Sequence, residues 1–533
     1  MPAVLFICMV FATLSGSTAH AAAIPGAPYR GKSRAFLGFD DPAIPAAFKT
    51  SVIQVPGHFP IVVSASDSAV WMSTVSGLKR YDSSATPSGA WQYFGGRRWL
   101  PDDDVVALAP DKSGGMWVRT RGGVSHIEYQ PATLEKKADV FERRVRDRHD
   151  RFGLVAPSVL THPGDLSSSE TRSDDNDGLW TSMYAAAECF RYAATQSPEA
   201  IARAKKSIEA VLFLEQVTGT PGFPARSYVL HGAMHPGDGE WFESSDGKYT
   251  WKGDTSSDEI VGHFFIYSVA TDLLPDAALK QRVAAAAARI LDRILADGYT
   301  LTGPDGQPTT WGKWSQRYFE TPGGRPDSPL NALELLSFLK SAAHIAGNAK
   351  YEAEYRKVAL DLGYAKLAAR YAELDHEINY SDEELAMLSF YSLFRYEKDP
   401  ALLAVYREAL AQWWRNMQRE KNPLWTFIYS LANPNAAVDL SGAQWMLERI
   451  PIDLIDWTVL NSARGDVALD GGKDRFGKSQ TTVLLPADER PVMKWNGNPF
   501  VVDGGDGGAT EDDGAFFLLP YWLGRHQGFI AKP

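Results

Sequence analysis

The sequence predicts a mainly α protein: an (α/α) toroid of paired helices with a small N-terminal β segment that is propeller-like. Three observations predict it. Apolar residues recur at three- and four-residue spacing from about residue 176 to 463, which indicates amphipathic helices. These helical stretches come in pairs joined by short linkers. Residues 56–130 instead alternate short apolar runs with Gly, Ser and Asp clusters, which is typical of strands and turns.

Composition narrows the protein class further. The chain has 533 residues, 44% of them hydrophobic and 16 of them Trp, so it can bury a large core and is not a disordered polymer. Its net charge of −11 makes nucleic-acid binding a poor expectation, because phosphate backbones attract basic surfaces.

The N-terminus has the features of a signal peptide. Residues 3–15 form an apolar run, and Ala19, His20 and Ala21 fit the small-x-small pattern of a cleavage site. The run is too short to span a membrane. We therefore expect residues 1–22 to be removed and the protein to be periplasmic or secreted, without stable membrane insertion. The two cysteines are Cys8, inside this segment, and Cys189, so we expect neither an internal disulfide nor a thiolate zinc site.

The β segment contains an internal repeat. Trp71 and Gly77 recur as Trp117 and Gly123, both at an interval of 46 residues. A period in the forties with one Trp strand and one Gly turn is typical of propeller blades. With the stretch 99–108 (WLPDDDVVAL), these residues resemble the repeats of two-component-regulator propellers over about residues 60–130. The resemblance implies either a fragment packed on another element or two blades accompanied by degenerate ones.

The remaining chain divides into a connector and a helical domain. Residues 131–165 are a charged connector, either a solvated linker helix or an anion-binding segment, and residues 166–533 are the predicted toroid. The first helix of each pair is more apolar, as an inner ring requires, and the pairs begin at uneven intervals, which excludes a solenoid of fixed period. The last residues, 467–533, close the ring or add strands. The predicted helices are Leu179–Thr195 with Pro198–Val217, Asp258–Leu273 with Asp276–Ala296, Leu330–Ala346 with Tyr351–Tyr371, Asp382–Tyr396 with Ala401–Gln418, and about Ala443–Asn461.

Acidic residues gather where the predicted inner helices begin, in the stretches 173–180, 252–259 and 375–384. Helix capping accounts for any one such cluster. In a toroid, however, these helix ends converge on one mouth, where facing carboxylates supply the acid and base that glycoside cleavage needs. The candidate catalytic residues are Asp177, Asp258, Glu259, Asp382 and Glu383.

Aromatic and polar loop residues near these clusters suit a saccharide, because Trp and Tyr cover the apolar faces of sugar rings. Arg226 is the best candidate for a carboxylate or hydroxyl contact. His263 follows Glu259 by one helical turn, which predicts a hydrogen bond between them, since no third metal ligand is evident. The acidic loop 503–514 adds Glu511 as a further carboxylate, and its spacing does not match an EF-hand. We expect no metal and no cofactor. The candidate substrate-binding residues are Asn176, Trp180, Arg226, His231, Trp251, His263, Trp311, Trp314, Tyr380 and Trp425.

A signal peptide, paired helices and acidic–aromatic loops at the inner-helix starts together resemble the (α/α) toroid carbohydrate-active enzymes. The resemblance covers about residues 170–530 and is architectural, because no catalytic signature matches residue for residue. It implies an exported enzyme that hydrolyses glycosidic bonds of a polysaccharide or oligosaccharide with a carboxylate pair. Two alternatives stay open. One is a lyase for a uronic-acid polymer, with a base drawn from Tyr184, Tyr267, Tyr318, His231 and His263; the other is a non-catalytic saccharide-binding or sensing protein.

Overall fold

The computed structural model describes residues 23–46, 62–64, 69–85, 90–371, 379–491 and 496–533. The predicted signal peptide, residues 1–22, and part of the third acidic cluster, residues 375–378, lie outside them. Among the helices of the described ranges, none combines the length and the apolar composition that crossing a membrane would require.

Six inner helices form a closed ring in the described part of the chain. Each contacts the next in chain order, and the last packs back against the first. Because each inner helix touches two ring neighbours and an outer helix, it is buried on almost all sides and reads as an apolar run. The inner helices are α2 (Asp177–Thr195), α4 (Ser257–Leu273), α6 (Gly324–Ala346), α9 (Tyr380–Tyr396), α11 (Pro423–Ala432) and α13 (Ala515–Gln527).

The outer helices pair with the inner ones. Five follow their inner partner in the chain, while α1 precedes the ring and packs on α13, which completes the sixth pair. Their sequences are studded with Lys, Arg and Glu on the solvent side, as amphipathic surface helices require. The outer helices are α1 (Leu134–Arg144), α3 (Pro198–Val217), α5 (Ala277–Ala296), α7 (Ala349–Arg356) with α8 (Tyr364–Ala368), α10 (Pro400–Met417) and α12 (Ser441–Arg449).

The toroid of paired helices is therefore what the chain forms, with local differences from the sequence prediction. The predicted helix Tyr351–Tyr371 divides into α7 and α8, and α6 begins at Gly324, before the predicted Leu330. Helix α11 went unrecognised because it has only ten residues, too few to display a helical period. Helix α13 carries Pro520 in its interior, which masks it as a helix. The predicted helix Ala443–Asn461 ends at Arg449, since Pro451 disfavours helical backbone at the residue before it.

The N-terminal segment forms two four-stranded antiparallel sheets. Trp71 and Trp117 are each the second residue of their strand, β3 and β7, but Trp71 is buried whereas Trp117 is half-buried and packs in a different cluster. The propeller-like expectation needs correction, because these two sheets do not make a closed propeller in the described residues: the fourth strand is β5 in one sheet and the distant β1 in the other. The sheets are β2-β3-β4-β5 (Val62–Ser64, Val70–Thr74, Gly77–Tyr81, Trp91–Phe94) and β1-β8-β7-β6 (Tyr29–Leu37, Val124–Ala132, Met116–Thr120, Val105–Pro110).

The two ends of the ring differ in their connections. At one end of the ring, the inner helices continue into the outer helices. At the other end, which we call the mouth, long segments precede α2, α4, α6 and α13, whereas five residues, 418–422, precede α11. These long segments carry the remaining strands: β9 (Asp150–Arg151), β10 (Leu154–Val155), β11 (Ser158–Leu160), β12 (Ser169–Thr171), β13 (Ser227–Leu230), β14 (Trp241–Glu243), β15 (Tyr249–Lys252), β16 (Thr300–Thr302), β17 (Pro308–Lys313), β18 (Val459–Leu460), β19 (Leu469–Lys473), β20 (Ser479–Thr481), β21 (Asp503–Gly504) and β22 (Thr510–Glu511).

The β sheets dock on the segment between α12 and α13, at the mouth end. Arg34 pairs with Asp453 at 2.7 Å, and Lys79 pairs with Asp466 at 3.0 Å. The buried Arg98 guanidinium donates to the backbone oxygen of Arg490 at 2.6 Å. These contacts fix the segment from which part of the mouth is built.

Candidate active site

Three carboxyl groups from three consecutive inner helices meet at the mouth. Asp258, Asp327 and Asp382 lie in the first turns of α4, α6 and α9. The hydroxyl of Ser381 lies 3.5 Å from Oδ1 of Asp258, which links the starts of α4 and α9. All three side chains are half-buried, so a ligand in the mouth can reach them.

A fourth carboxyl lies beneath these three. Glu334 follows Asp327 by seven residues on α6, which places both on one helix face. The side chain is fully buried, and the indole Nε1–H of Trp314 donates to its Oε2 at 2.7 Å. Burial, together with the charges of Asp258, Asp382 and Asp327, raises the pKa of Glu334 well above its usual range. We call Asp258, Asp327, Glu334 and Asp382 the acidic floor.

The pKa of Asp382 distinguishes it within the floor. Burial, followed by the charges of Asp327 and Asp258, raises it to about 7, and Arg475, in the β19–β20 turn, opposes the rise. Burial also raises the pKa of Asp258, while its own backbone N–H and the Arg226 guanidinium act against that. A helix N-terminus favours a carboxylate, so at Asp382 burial and repulsion outweigh the helix dipole. Carboxyls with such different surroundings can supply a proton donor and an ionised carboxylate side by side.

Arg226 and Lys252 form the rim on one side. Both donate to the Asp175 carboxylate, Arg226 at 2.8 Å and Lys252 at 2.7 Å. The Oδ1 atom of Asn176 accepts from Nε of Arg226 at 3.1 Å and from the Ser256 hydroxyl at 3.0 Å. Arg226 and Asn176 thus hold the starts of α2 and α4 together.

Two other predicted catalytic acids lie deeper. Asp177 is fully buried and pairs with Arg151, and burial raises its pKa to about 6 against the effect of that cation. Glu259 is also fully buried, and its Oε1 accepts from the Gly178 N–H at 3.1 Å. Nδ1 of His263 lies 2.6 Å from the backbone oxygen of Glu259 but 3.8 Å from its carboxylate. These groups join α2 to its neighbours.

Glu383 and Glu511 occupy contrasting surroundings. Glu383 is buried and shares a hydrogen bond with Glu420; burial and that neighbour raise its pKa well above its usual range. Burial would raise the pKa of Glu511, but the hydrogen bond from Arg148 and further cations hold it at about 2. Arg148 lies 2.6 Å from the Glu511 carboxylate. Glu511 is therefore a permanent anion in an ion-pair network.

The predicted aromatic and histidine contacts fall into two groups. Trp311, on β17, is 56% exposed, and the adjacent Thr310 N–H donates to Asp254 at 2.7 Å, which ties that strand to the segment before α4. His231 is exposed beside Glu243, and Tyr380 is half-buried. The rings packed inside the protein are those of Trp180, Trp251, Trp314 and Trp425.

Four residues near the site escaped the sequence analysis. Asp327 and Glu334 were missed because Gly323, Gly324 and two prolines hide the start of α6, which the periodicity placed at Leu330. The acids in the first turns of α2, α4 and α9 were the signal that could have found Asp327. Glu420 and Arg475 reach the site from segments without periodicity, and no sequence pattern marks them.

No protein-family model matches this chain, and no curated protein matches it either. Among solved structures, this chain is similar to a thermostable endoglucanase (D468A mutant) from Alicyclobacillus acidocaldarius. The sequence identity is 11%, the TM-score is 0.40, and the match covers 87% of this chain and 97% of that one. A metagenome-derived glycoside hydrolase family 9 endoglucanase is 13% identical, with a TM-score of 0.35, and the match covers 96% of this chain and 98% of that one. A sugar epimerase from a ruminal bacterium is 10% identical, with a TM-score of 0.32, and the match covers 73% of this chain and 97% of that one. At such low identity and TM-score, activity has to be inferred from the site itself.

Proposed function

We propose that this chain is a glycoside hydrolase whose catalytic acid is Asp382. The observation that carries the proposal is the meeting of three accessible carboxyls at one mouth, one of them with a pKa of about 7. A carboxylic acid that is protonated near neutral pH beside an ionised carboxylate is the arrangement that hydrolysis of a glycosidic bond requires.

In this proposal, Asp382 gives its proton to the glycosidic oxygen as the bond from that oxygen to the anomeric carbon breaks. Asp258 takes a proton from the water whose oxygen forms the new bond to the anomeric carbon. Proton exchange with solvent restores both carboxyls. The Tyr318 hydroxyl donates to Asp327 Oδ2 at 2.6 Å and fixes the orientation of that third carboxylate.

The sugar would lie between the acidic floor and the exposed aromatic side chains. The Trp311 ring has an exposed face, and the half-buried Tyr380 lies two residues before Asp382 in the sequence. Aromatic faces stack on the C–H faces of sugar rings, which orients the scissile bond over the carboxyls. Arg226 contributes indirectly, by holding Asn176 and Asp175 at the rim.

The tyrosines and His263 do not favour a lyase. Elimination needs a base that gives up its proton near the working pH. Burial raises the pKa of Tyr184 and Tyr267 well above its usual range, and burial with the Asp327 hydrogen bond does the same for Tyr318. His263 is fully buried, and burial lowers its pKa to about 4. Four of the five candidate bases are therefore poorly suited to elimination, and the fifth, His231, lies exposed beside Glu243.

A substrate panel tests the proposal. Neutral, amino-sugar and uronic-acid polysaccharides are incubated with the full chain, and reducing ends and the ultraviolet absorbance of unsaturated uronides are read in the same wells. We expect reducing ends without absorbance, abolished by Asp382→Asn and retained in Asp246→Asn, which removes an exposed charge from the β14–β15 turn. Reducing ends with absorbance would make the protein a lyase, and silence throughout would favour a non-catalytic binder.

The apolar run at residues 3–15 supports export, so we also propose that the protein acts in the periplasm or outside the cell. N-terminal sequencing of the protein recovered from those fractions should give a chain that starts close to residue 23. A chain that retains Met1 in the cytoplasmic fraction would contradict this.

A further inference from the structure

Among the described residues, the carboxyls of the acidic floor outnumber the cations that act on their pKa values. The charges of Asp327, Asp258 and Glu383 raise the pKa of Asp382, and the charge of Arg475 lowers it. The Arg475 side chain is exposed in the β19–β20 turn. The cation that acts on Asp258 is Arg226, which already pairs with Asp175. A ligand that brings positive charge would therefore be attracted to the floor.

The carboxyl of Glu334 gives an independent observation that points to a ligand group. Its Oε2 atom accepts from Trp314, but its Oε1 atom is buried and has no hydrogen-bond partner among the residues that the structure describes. Glu334 lies two helical turns after Asp327 on the same face of α6, which places its carboxyl next to the other floor residues. Buried polar atoms are normally satisfied, so an unsatisfied oxygen beneath three carboxyls indicates a donor supplied from the mouth.

The spacing of the floor disfavours a metal ion as that missing group. Calcium requires several oxygens converging to within about 2.3–2.6 Å of one point. Within the described ranges, one group of three His, Cys, Asp or Glu side chains has its ligand atoms within 4.8 Å of one another. It consists of Asp111, His126 and Glu128, on the N-terminal sheet. The floor carboxyls do not converge in this way, so the space between them suits a larger group that donates several hydrogen bonds.

We propose that the glycan cleaved here carries free amino groups: it is a polymer of hexosamine units whose amines are not acetylated. An ammonium group carries one positive charge and three N–H donors, which matches several spread acceptors. Asp327 holds the ammonium, while Asp258 and Asp382 act on the bond. The inference rests on the proposed hydrolysis and adds the substrate class to it.

Matched polymer pairs test the inference. Polymers of glucosamine and of galactosamine, α- and β-linked, are each assayed as the free amine and after chemical N-acetylation, which removes the charge from the same chain. Neutral glucans serve as further controls. We expect the amine form of at least one pair to release reducing ends about tenfold faster than its acetylated form, with KM rising as salt screens the attraction.

A variant pair separates the floor from the general charge of the mouth. Asp327→Asn should raise KM for the amine polymer about tenfold. Because the charge of Asp327 also raises the pKa of Asp382, the same variant should move the high-pH limb of kcat to lower pH. Asp246→Asn removes the same charge from an exposed turn and should leave KM unchanged. Circular dichroism and thermal melting verify that both variants are folded.

The outcomes are distinguishable. Hydrolysis of neutral or acetylated polymers as fast as of the amine forms, with no effect of Asp327→Asn on KM, overturns the amino-sugar inference and leaves the hydrolase intact. Release of reducing ends from no polymer at all overturns the proposed hydrolysis, and the inference with it.

Discussion

The acids at the two ends of the inner helices α4 and α9 have opposite pKa shifts. At the mouth, α4 and α9 carry Asp258 and Asp382, whose pKa values are raised by burial and, for Asp382, by neighbouring acids. At the far end, the same helices carry Asp272 and Arg395, which pair with each other. His344 adds a further contact to Asp272 at 2.8 Å, and these partners lower its pKa although burial acts the other way.

Glu397, also at the far end, has a lowered pKa like that of Asp272. Glu397 accepts from the Tyr355 hydroxyl and lies 3.4 Å from Lys340, so its pKa is lowered despite burial. On α4 and α9, the far-end acids are thus paired with cations, whereas Asp258 and Asp382 at the mouth have other acids beside them. Acids whose pKa values are raised by burial and by neighbouring acids are typical of functional sites, where the arrangement costs some folding stability.

Asp382→Asn gives the largest expected effect. The amide cannot donate an acidic proton, so kcat should fall by about 10²–10⁴-fold. Removing a repelled carboxyl should not weaken the fold. Steady-state kinetics with thermal melting measures both quantities. A variant that keeps more than half of the wild-type kcat would show that the raised pKa of Asp382 has no catalytic role.

Asp272→Asn is the matched change at the far end. It weakens the pair with Arg395 and the contact with His344, whose own side chains are exposed to solvent. We expect the free energy of unfolding to fall by about 1 kcal/mol, because solvent screens these partners, with kcat within about twofold of the wild type. Urea denaturation and the same kinetic assay check this. Loss of activity without loss of stability would remove the contrast between the two ends.

The pH dependence of stability sharpens the contrast. The pKa of Asp382 is about 7 in the folded protein and close to 4 when unfolded, so between these values the folded state holds a proton that the unfolded state has lost. The stability due to this group is complete below about pH 4 and is lost as the pH rises towards 7. Asp382→Asn should therefore gain about 1 kcal/mol or more relative to the wild type over that range. Melting curves that shift in parallel at every pH would contradict it.

Trp311→Ala is expected to have the smallest effect. The ring is exposed and makes few internal contacts, so its loss should raise KM about fivefold and leave kcat and the melting temperature nearly unchanged. The same substitution at the buried Trp314 should instead unfold the protein or lower its melting temperature strongly. Equal effects at both positions would mean that Trp311 does not contact the sugar.

The sequence predicted most of the ring and part of its mouth. Helical periodicity located α2 to α6, α9 and α10, because each is long and its burial is regular. The acidic stretches pointed to Asp258 and Asp382 before their geometry was known. The propeller-like expectation failed as a whole fold, since β1, far away in sequence, supplies a strand that local patterns do not reveal.

What the sequence left out depends on contacts between distant segments. Burial separates Asp177 and Glu259 from Asp258 and Asp382, yet all four have the same type of place at a helix start. Pairing with Arg151 for Asp177, and with the Gly178 N–H for Glu259, becomes visible only once α2 packs against its neighbours. Glu420 and Arg475 likewise reach the site by tertiary packing from segments without a pattern.

The pH profile of kcat/KM, in the wild type and in Asp382→Asn, tests the central claim most directly. If Asp382 is the proton donor, wild-type kcat/KM falls tenfold per pH unit above about pH 7, because the donor loses its proton there. The residual activity of the variant should lack this limb. A wild-type profile that stays flat from about pH 6 to 9, or a limb that persists in the variant, would contradict the assignment of Asp382 and the acidic floor as the active site.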